Sequence, residues 1–257
     1  MYFSPPRPRV LAHRGFIHSE RTEFAEVSDE NTLGAFHAAV AEGSQYLETD
    51  VRSTKDGVAV LCHDPKFVGR DGRQYVLREY TAAELAEIEL ASGGRVPTLF
   101  DALTTFERVR FNIDVKERAA VEPCALAIRQ AEAIHRVLVT SFARSRRRAV
   151  IRQFPAVHSG ASQSDAVVIV LSALLGLKKP LSNASREIQA IQIPDHKLLR
   201  RALTTRHIRR IQQHNIEVHV WTLNTADEME FWLERGVDGV VTDHVDVALE
   251  IAKRFPL

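Results

Sequence analysis

Short, strongly apolar runs alternate along the chain with longer stretches whose apolar residues recur every three or four positions. The short runs predict strands at Val10–Ala12, Tyr46–Val51, Phe111–Val115, Val137–Thr140, Ala156–His158, Ala190–Ile193, Glu217–Trp221 and Gly239–Thr242. These read as near-continuous apolar segments with a few polar interruptions, as strands buried on both faces do. The longer stretches predict helices at Thr32–Ala41, Thr98–Val109, Val121–Ala133, Phe142–Gln153, Ser164–Leu175, Thr204–His214, Thr225–Glu234 and His244–Phe255. Thr225 with Glu228 forms a capping-box pattern. Gly43 and Gly236 are natural helix stops, and Ser164 or Asp165 is expected near the start of its helix.

One run breaks the alternation. Val58–Cys62 follows Val51 after six residues that include the turn pair Asp56-Gly57. A parallel partner needs a crossover of about a dozen residues, so this run should return antiparallel to the second strand. Val68–Arg95 is a second, mostly polar excursion with a short helix near Ala82–Leu90. Eight strands with intervening helices predict an α/β fold, a (β/α)8 TIM barrel with a small insertion after the second strand. The expected organisation is one domain over residues 1–257, with the insertion at about 52–95. A doubly wound sheet would carry a glycine-rich loop after its first strand. This chain has His13-Arg14-Gly15 there.

Composition changes this picture little. The 257 residues are 45% apolar and 26% charged, with a formal charge of +1, which excludes a disordered chain and gives no overall field favouring nucleic acid. The basic run Arg144–Arg148 reads as the solvated face of a surface helix. Cys62 and Cys124 make neither a zinc cluster nor a disulfide scaffold. The N-terminus lacks the apolar core of a secretory signal. The apolar stretch Ala166–Leu177 falls short of the roughly 20 residues of a membrane span. The expectation is a cytoplasmic protein with no stable membrane insertion and no nucleic-acid partner; nothing in the sequence sets its oligomeric state.

Candidate chemistry lies where polar residues interrupt the strands. Glu48 and Asp50 are two apart and share one face. Asp114 and Lys116 repeat that spacing on the third strand. In a barrel these faces converge on the mouth at the strand C-termini. Burying carboxylates together requires compensation. Three oxygen-donating carboxylates suit Mg2+ or Ca2+ better than zinc, and they equally suit a structural salt-bridge cluster with Lys116. His13 and His63 stand at strand ends, as proton-transfer groups would. Arg14 offers multidentate contact with phosphate oxygens, and Gly15 allows a close turn of the backbone toward a ligand. Gln192 either reaches the pocket or fills a barrel layer, and His158 and His219 carry the same two readings.

The ordered set Leu11-Ala12-His13-Arg14-Gly15, Glu30-Asn31-Thr32, Leu47-Glu48-Thr49-Asp50-Val51, Thr54-Lys55-Asp56-Gly57 and His63-Asp64 resembles the glycerophosphodiester phosphodiesterase family. The resemblance continues through Val96-Pro97-Thr98-Leu99, Asn112-Ile113-Asp114-Val115-Lys116 and Ser141-Phe142. It ends with Val220-Trp221-Thr222-Leu223-Asn224 and the stretch from Gly236 to Asp243. It implies a TIM barrel that hydrolyses glycerophosphodiesters to sn-glycerol 3-phosphate and an alcohol with a divalent metal, commonly Mg2+ or Ca2+. By resemblance, Glu48, Asp50 and Asp114 match metal carboxylates, His13 and His63 the acid–base pair, and Arg14 and Lys116 the phosphate-binding residues. Glu30 matches an acidic residue near metal and glycerol, and Trp221 lines the substrate cleft. The resemblance also implies attack by the substrate's own 2-hydroxyl, through a cyclic phosphate that water then opens.

Two positions depart from the family pattern. Asp29 stands where proline is usual, and Asp114 is one methylene shorter than the usual glutamate. Related barrels cleave lysophospholipids or sphingomyelin at the same bond. The apolar stretch Ala166–Leu177 is either a wall for an acyl chain in such a substrate or a buried barrel helix. A degenerate binding barrel would have lost a histidine or a carboxylate, and this chain keeps all five.

Overall fold

The computed structural model describes residues 1–17, 30–91 and 93–256. Asp29, with the altered turn expected of it, lies outside these. The strands are β1 (Arg9–His13), β2 (Tyr46–Ser53), β3 (Ala59–Leu61), β4 (Lys66–Val68), β5 (Gln74–Val76), β6 (Arg110–Val115), β7 (Val137–Thr140), β8 (His158–Ser159), β9 (Ala190–Pro194), β10 (Glu217–Trp221) and β11 (Gly239–Thr242). The helices are α1 (Leu33–Ala41), α2 (Ala82–Ala86), α3 (Leu99–Thr105), α4 (Val121–Gln130), α5 (Arg144–Gln153), α6 (Gln163–Leu175), α7 (Lys178–Ala184), α8 (Lys197–Ala202), α9 (Thr205–Gln212), α10 (Ala226–Leu233) and α11 (Val245–Ala252).

Eight strands pair in parallel in the order β8-β7-β6-β2-β1-β11-β10-β9. A parallel bridge between Gly160 and Ala190 joins β8 to β9 and closes the ring. The arrangement is a (β/α)8 barrel, as the alternation of runs predicts. The fifth barrel strand starts at His158 rather than Ala156, because Val157 still belongs to the turn that ends α5.

Between β2 and β6 the chain leaves the barrel. β3 pairs antiparallel with β2, placing Leu61 opposite Val51. The turn uses Gly57 at φ +76°, with Thr54 Oγ1 accepting from Val58 N. β4 and β5 then form a small separate hairpin.

Local chemistry sets several helix starts. Thr32 accepts from Ala35 N at the head of α1. Thr225 and Glu228 form the expected capping box of α10. α6 starts one residue earlier than the apolar pattern suggests, because Ser162 is its cap and Asp165 closes the box. Gly15 is required for packing against α1. It sits at φ +99°, and a Cβ there would come within 2.6 Å of the Ala35 Cβ on α1.

Inside the barrel, Leu11, Tyr46, Leu138, Ala190 and Val241 form an apolar cluster with Tyr2. The strand N-termini below it are covered by the first residues of the chain. Buried Arg9 bonds Glu217 at 2.6 and 2.7 Å, the Tyr46 hydroxyl at 2.9 Å and the Pro5 carbonyl at 2.6 Å. His219, also buried, contacts Glu217 at 3.0 Å, and His158 packs against the Phe3 ring. Both histidines therefore belong to the closed end, away from the mouth.

The basic run is only partly solvated. Arg147 is buried, donates to Ser159 Oγ at 2.8 Å and lies 3.3 Å from both Asp165 and Glu187. Arg144 also pairs with Asp165. Among the described residues no helix is long and apolar enough to cross a membrane.

Candidate active site

The strand C-termini gather the polar residues. β2 and β6 pair so that Asp50 lies opposite Asp114 and Glu48 opposite Asn112. The inward-facing alternation of both strands thus stacks two carboxylates at the mouth, with Glu48 one layer deeper. Glu48, Asp50 and Asp114 are all buried.

Lys116 stands just beyond β6, and its Nζ lies 2.7 Å from Asp50 Oδ1 and 2.7 Å from Asp114 Oδ2. Arg14, at φ +55° just past β1, lies 3.0 Å from Asp50 through Nε and donates to Glu30 at 2.9 Å through Nη1. The salt-bridge cluster that the spacing allows therefore exists, and both cations converge on Asp50. Asn31 Nδ2 adds a hydrogen bond to Asp50 at 3.2 Å.

The charges are unevenly compensated. Burial alone would raise Asp50, but Lys116 and Arg14 outweigh it and hold its carboxyl below the usual range. Glu48 has no such partners. Its oxygen accepts from the Arg14 backbone N–H at 3.3 Å and lies 3.9 Å from His13 Nε2. Burial, followed by the neighbouring Asp50 charge, pushes Glu48 up to about 8. Burial also raises Asp114 against the opposing Lys116 charge, and its Oδ1 is buried with no hydrogen-bond partner.

Each histidine is backed by a carboxylate on the same ring nitrogen. His13 Nδ1 lies 2.6 Å from Asp243 Oδ1, and Asp243 in turn accepts from Asn224 at 2.6 Å. His63 Nδ1 lies 2.9 Å from Asp64 Oδ1. In both, the partner favours a proton on Nδ1 and leaves Nε2 for a substrate. Burial would lower His13, but the Asp243 hydrogen bond and the Glu48 charge outweigh it and raise its pKa.

Trp221 ends β10, half-buried, edge-on to the exposed Phe142 ring at 6.0 Å. Lys116 Nζ lies 5.8 Å from the same Phe142 ring. Gln192 accepts from Asn112 Nδ2 at 3.3 Å within the barrel, while Gln192 Nε2 and Asn112 Oδ1 are buried without partners. The structure thus brings His13, Arg14, Glu30, Glu48, Asp50, His63, Asp114 and Lys116 to one mouth, with Trp221 at its rim and Gln192 in the barrel.

Asp243, Asn224, Asn31 and Asp64 are site residues to which the sequence reading assigned no role. Asp243 and His13 are 230 positions apart and meet only because β11 lies beside β1. Asp64 had a local signal, since it directly follows His63.

The donor set fits a hard divalent cation in kind: several carboxylates, one with a buried, unpartnered oxygen and one with few donors. Among the described residues, however, no three His, Cys, Asp or Glu side chains already form a ligand group. The Lys116 ammonium occupies the place between Asp50 and Asp114.

Two carboxylate-backed histidines beside an arginine and a lysine, at the mouth of a (β/α)8 barrel, define an enzyme equipped to bind an anion and move protons around it. Comparison with known proteins makes this specific. The glycerophosphoryl diester phosphodiesterase family model matches residues 13–247, and the chain belongs to that family. It is 33% identical over 243 residues to a probable glycerophosphodiester phosphodiesterase 2 of Mycobacterium tuberculosis, covering 94% of this chain and 89% of that protein. The solved glycerophosphodiester phosphodiesterase of Thermotoga maritima is 26% identical with a TM-score of 0.70, covering 94% of this chain and 97% of the other. A phosphodiesterase of Oleispira antarctica, solved with the product sn-glycerol-3-phosphate, matches the fold with a TM-score of 0.72 at 18% identity, covering 95% and 96%.

Proposed function

We propose that the protein hydrolyses glycerophosphodiesters to sn-glycerol 3-phosphate and an alcohol, using Mg2+ or Ca2+ held by Glu48, Asp50 and Asp114. The observation that carries the reading is the pair of carboxylate-backed histidines at a mouth that also holds Arg14 and Lys116. Family membership supports the substrate class. The raised Glu48 and the unpartnered Asp114 Oδ1 support the metal, since a dication would supply positive charge beside Glu48 and a partner for that oxygen.

Held by these carboxylates, a dication would draw charge from the phosphoryl group and acidify the glycerol hydroxyl. With Asp50 and Asp114 neutralised in this way, the Lys116 ammonium would be free to serve the phosphate together with Arg14. His13 Nε2 accepts the proton of the glycerol 2-hydroxyl as its oxygen forms a bond to phosphorus. Asp243 stabilises the resulting imidazolium. His63 gives its proton to the departing alcohol oxygen as the bond to phosphorus breaks. Water then opens the cyclic phosphate, with His63 accepting the water's proton and His13 returning one to the 2-oxygen. Glu30 holds a glycerol hydroxyl, and Trp221 walls the cleft.

Purified protein incubated with glycerophosphodiesters and lysophospholipids, with Mg2+, with Ca2+ or after chelation, tests the proposal by product identification. The expected result is sn-glycerol 3-phosphate plus alcohol, lost on chelation. Preferential cleavage of lysophospholipids would replace the substrate assignment. Full activity after exhaustive chelation would overturn the role of the metal.

A further inference from the structure

The chain's near-neutral charge hides a strong segregation. Residues 144–210 carry 14 of the 34 Lys and Arg but only 3 of the 33 Asp and Glu, a formal charge of +11 against −10 for the remainder. In the barrel this segment is one contiguous flank, α5 to α9. Its three acids are already engaged: Asp165 with Arg144 and Arg147, Glu187 with Arg147 and Arg148, and Asp195 with Arg200. Arg152, Lys178, Lys179, Lys197, Arg201 and Arg206 are exposed and make no ion pair among the described residues.

The same flank carries an exposed apolar stripe. α6 packs beside α5, α7 and α9. Its Ile169, Val170 and Ala173 face the core. Val167, Val168, Leu171 and Leu175 point outward, 53%, 48%, 51% and 71% exposed, and Leu177 follows at 47%. Positions 167, 168, 171 and 175 follow helical spacing, so they form one stripe rather than scattered residues. The Ala166–Leu177 stretch is therefore not a wholly buried helix. α6 follows β8, which places Val167 as the exposed stripe residue nearest the mouth.

We infer that this flank docks on an anionic lipid surface, with the α6 stripe seated among acyl chains and the surrounding lysines and arginines on the headgroups. An exposed aliphatic stripe loses free energy in water, and unpaired cations around it match a negative bilayer surface. A nucleic-acid groove would use the cations but leave the stripe in water. Protein interfaces favour aromatic and Met anchors, and α6 has none. The inference concerns a surface away from the catalytic mouth and does not depend on the substrate assignment.

The test is sedimentation of the full chain with vesicles of phosphatidylcholine alone or with about one third phosphatidylglycerol, at low and high salt. Binding is expected only to the anionic vesicles, and to fall with salt. The double variant Leu171→Asp/Leu175→Asp should lose roughly tenfold in partitioning, and Lys178→Glu/Lys179→Glu a similar factor. Both should keep wild-type turnover of a water-soluble diester, which also verifies their fold. No binding to anionic vesicles would overturn the proposal. So would binding that the leucine variants leave unchanged, or that a DNA duplex matches equally with and without them. A lipid-free dimer dispersed by the leucine substitutions, with no vesicle binding, would make the stripe a self-association face instead.

Discussion

Replacing Glu48 by Gln makes a test of the site's electrostatics that needs no substrate. In the metal-free protein, burial beside the Asp50 charge raises the Glu48 carboxyl from its ordinary 4.5 to about 8. A group raised in the folded state contributes stability that is full below its unfolded pKa and is lost as pH rises through its folded pKa. The loss between those limits is about 1.4 kcal/mol per pH unit. Between pH 6 and 7.5 the expected loss is roughly 2 kcal/mol, about 4–8 °C in Tm for a chain of this size. Asp50 is lowered, so its contribution is constant in this window. Gln mimics the protonated acid. Glu48→Gln should therefore match the parent only near pH 4.5 and below, and exceed it by a margin that grows as pH rises toward 8 in chelator. Adding Mg2+ or Ca2+ should reverse the order, raising the parent far more than the variant. Denaturant unfolding across pH 5.5–8.5, with and without metal, gives both comparisons. Parallel stability curves for parent and variant in chelator would refute the argument that Glu48 holds a proton there.

Three further outcomes follow from named contacts. Asp243→Asn removes the carboxylate behind His13 and should lower kcat by about 10²-fold with a smaller change in KM; it should also lower the His13 pKa seen in the pH–rate profile. Glu217 is lowered to about 2 because Arg9 and His219 outweigh its burial. Its stabilisation, present above its ordinary value of 4.5 and fading toward pH 2, is about 3 kcal/mol, so chemical denaturation at pH 7 should show Glu217→Gln destabilised by roughly that amount. Asp114→Asn should weaken divalent-cation binding about tenfold by calorimetry, whereas Asp114→Glu, recovering one methylene of reach, should bind at least as tightly as the parent.

The barrel was legible because strands buried on both faces leave unmistakable apolar runs. The elements that escaped lack such a signal. α8 buries no side chain, and β4 and β5 are three residues each with none fully buried. α3 stops at Thr105, short of the expected Val109, because Phe106 leaves helical geometry while still packing in the core. At the site, Glu48, Asp50, Asp114 and the histidines stood out as polar residues at inward strand positions. Their partners did not, because Asp243 reaches His13 only through ring closure and Asn31 reaches Asp50 only through the turn after β1. Arg147 looked like part of a solvated run because its buried acid, Asp165, lies on the next helix. The charge segregation was present in the sequence and was masked by the net value.

The acid–base assignment of His13 and His63 is tested most directly by leaving-group dependence. Rates for each histidine-to-alanine variant are compared on a choline or ethanolamine diester and on a p-nitrophenyl diester, with metal saturating and folding verified. On the natural-type diester each variant should lose roughly 10²–10⁴-fold in kcat. A p-nitrophenolate departs with little protonation, so His63→Ala should lose far less on that substrate, while His13→Ala should suffer on both. If His13→Ala is the variant rescued by the better leaving group, the base and acid are exchanged. If neither variant slows turnover, the two carboxylate-backed histidines are structural and the account of the site is wrong.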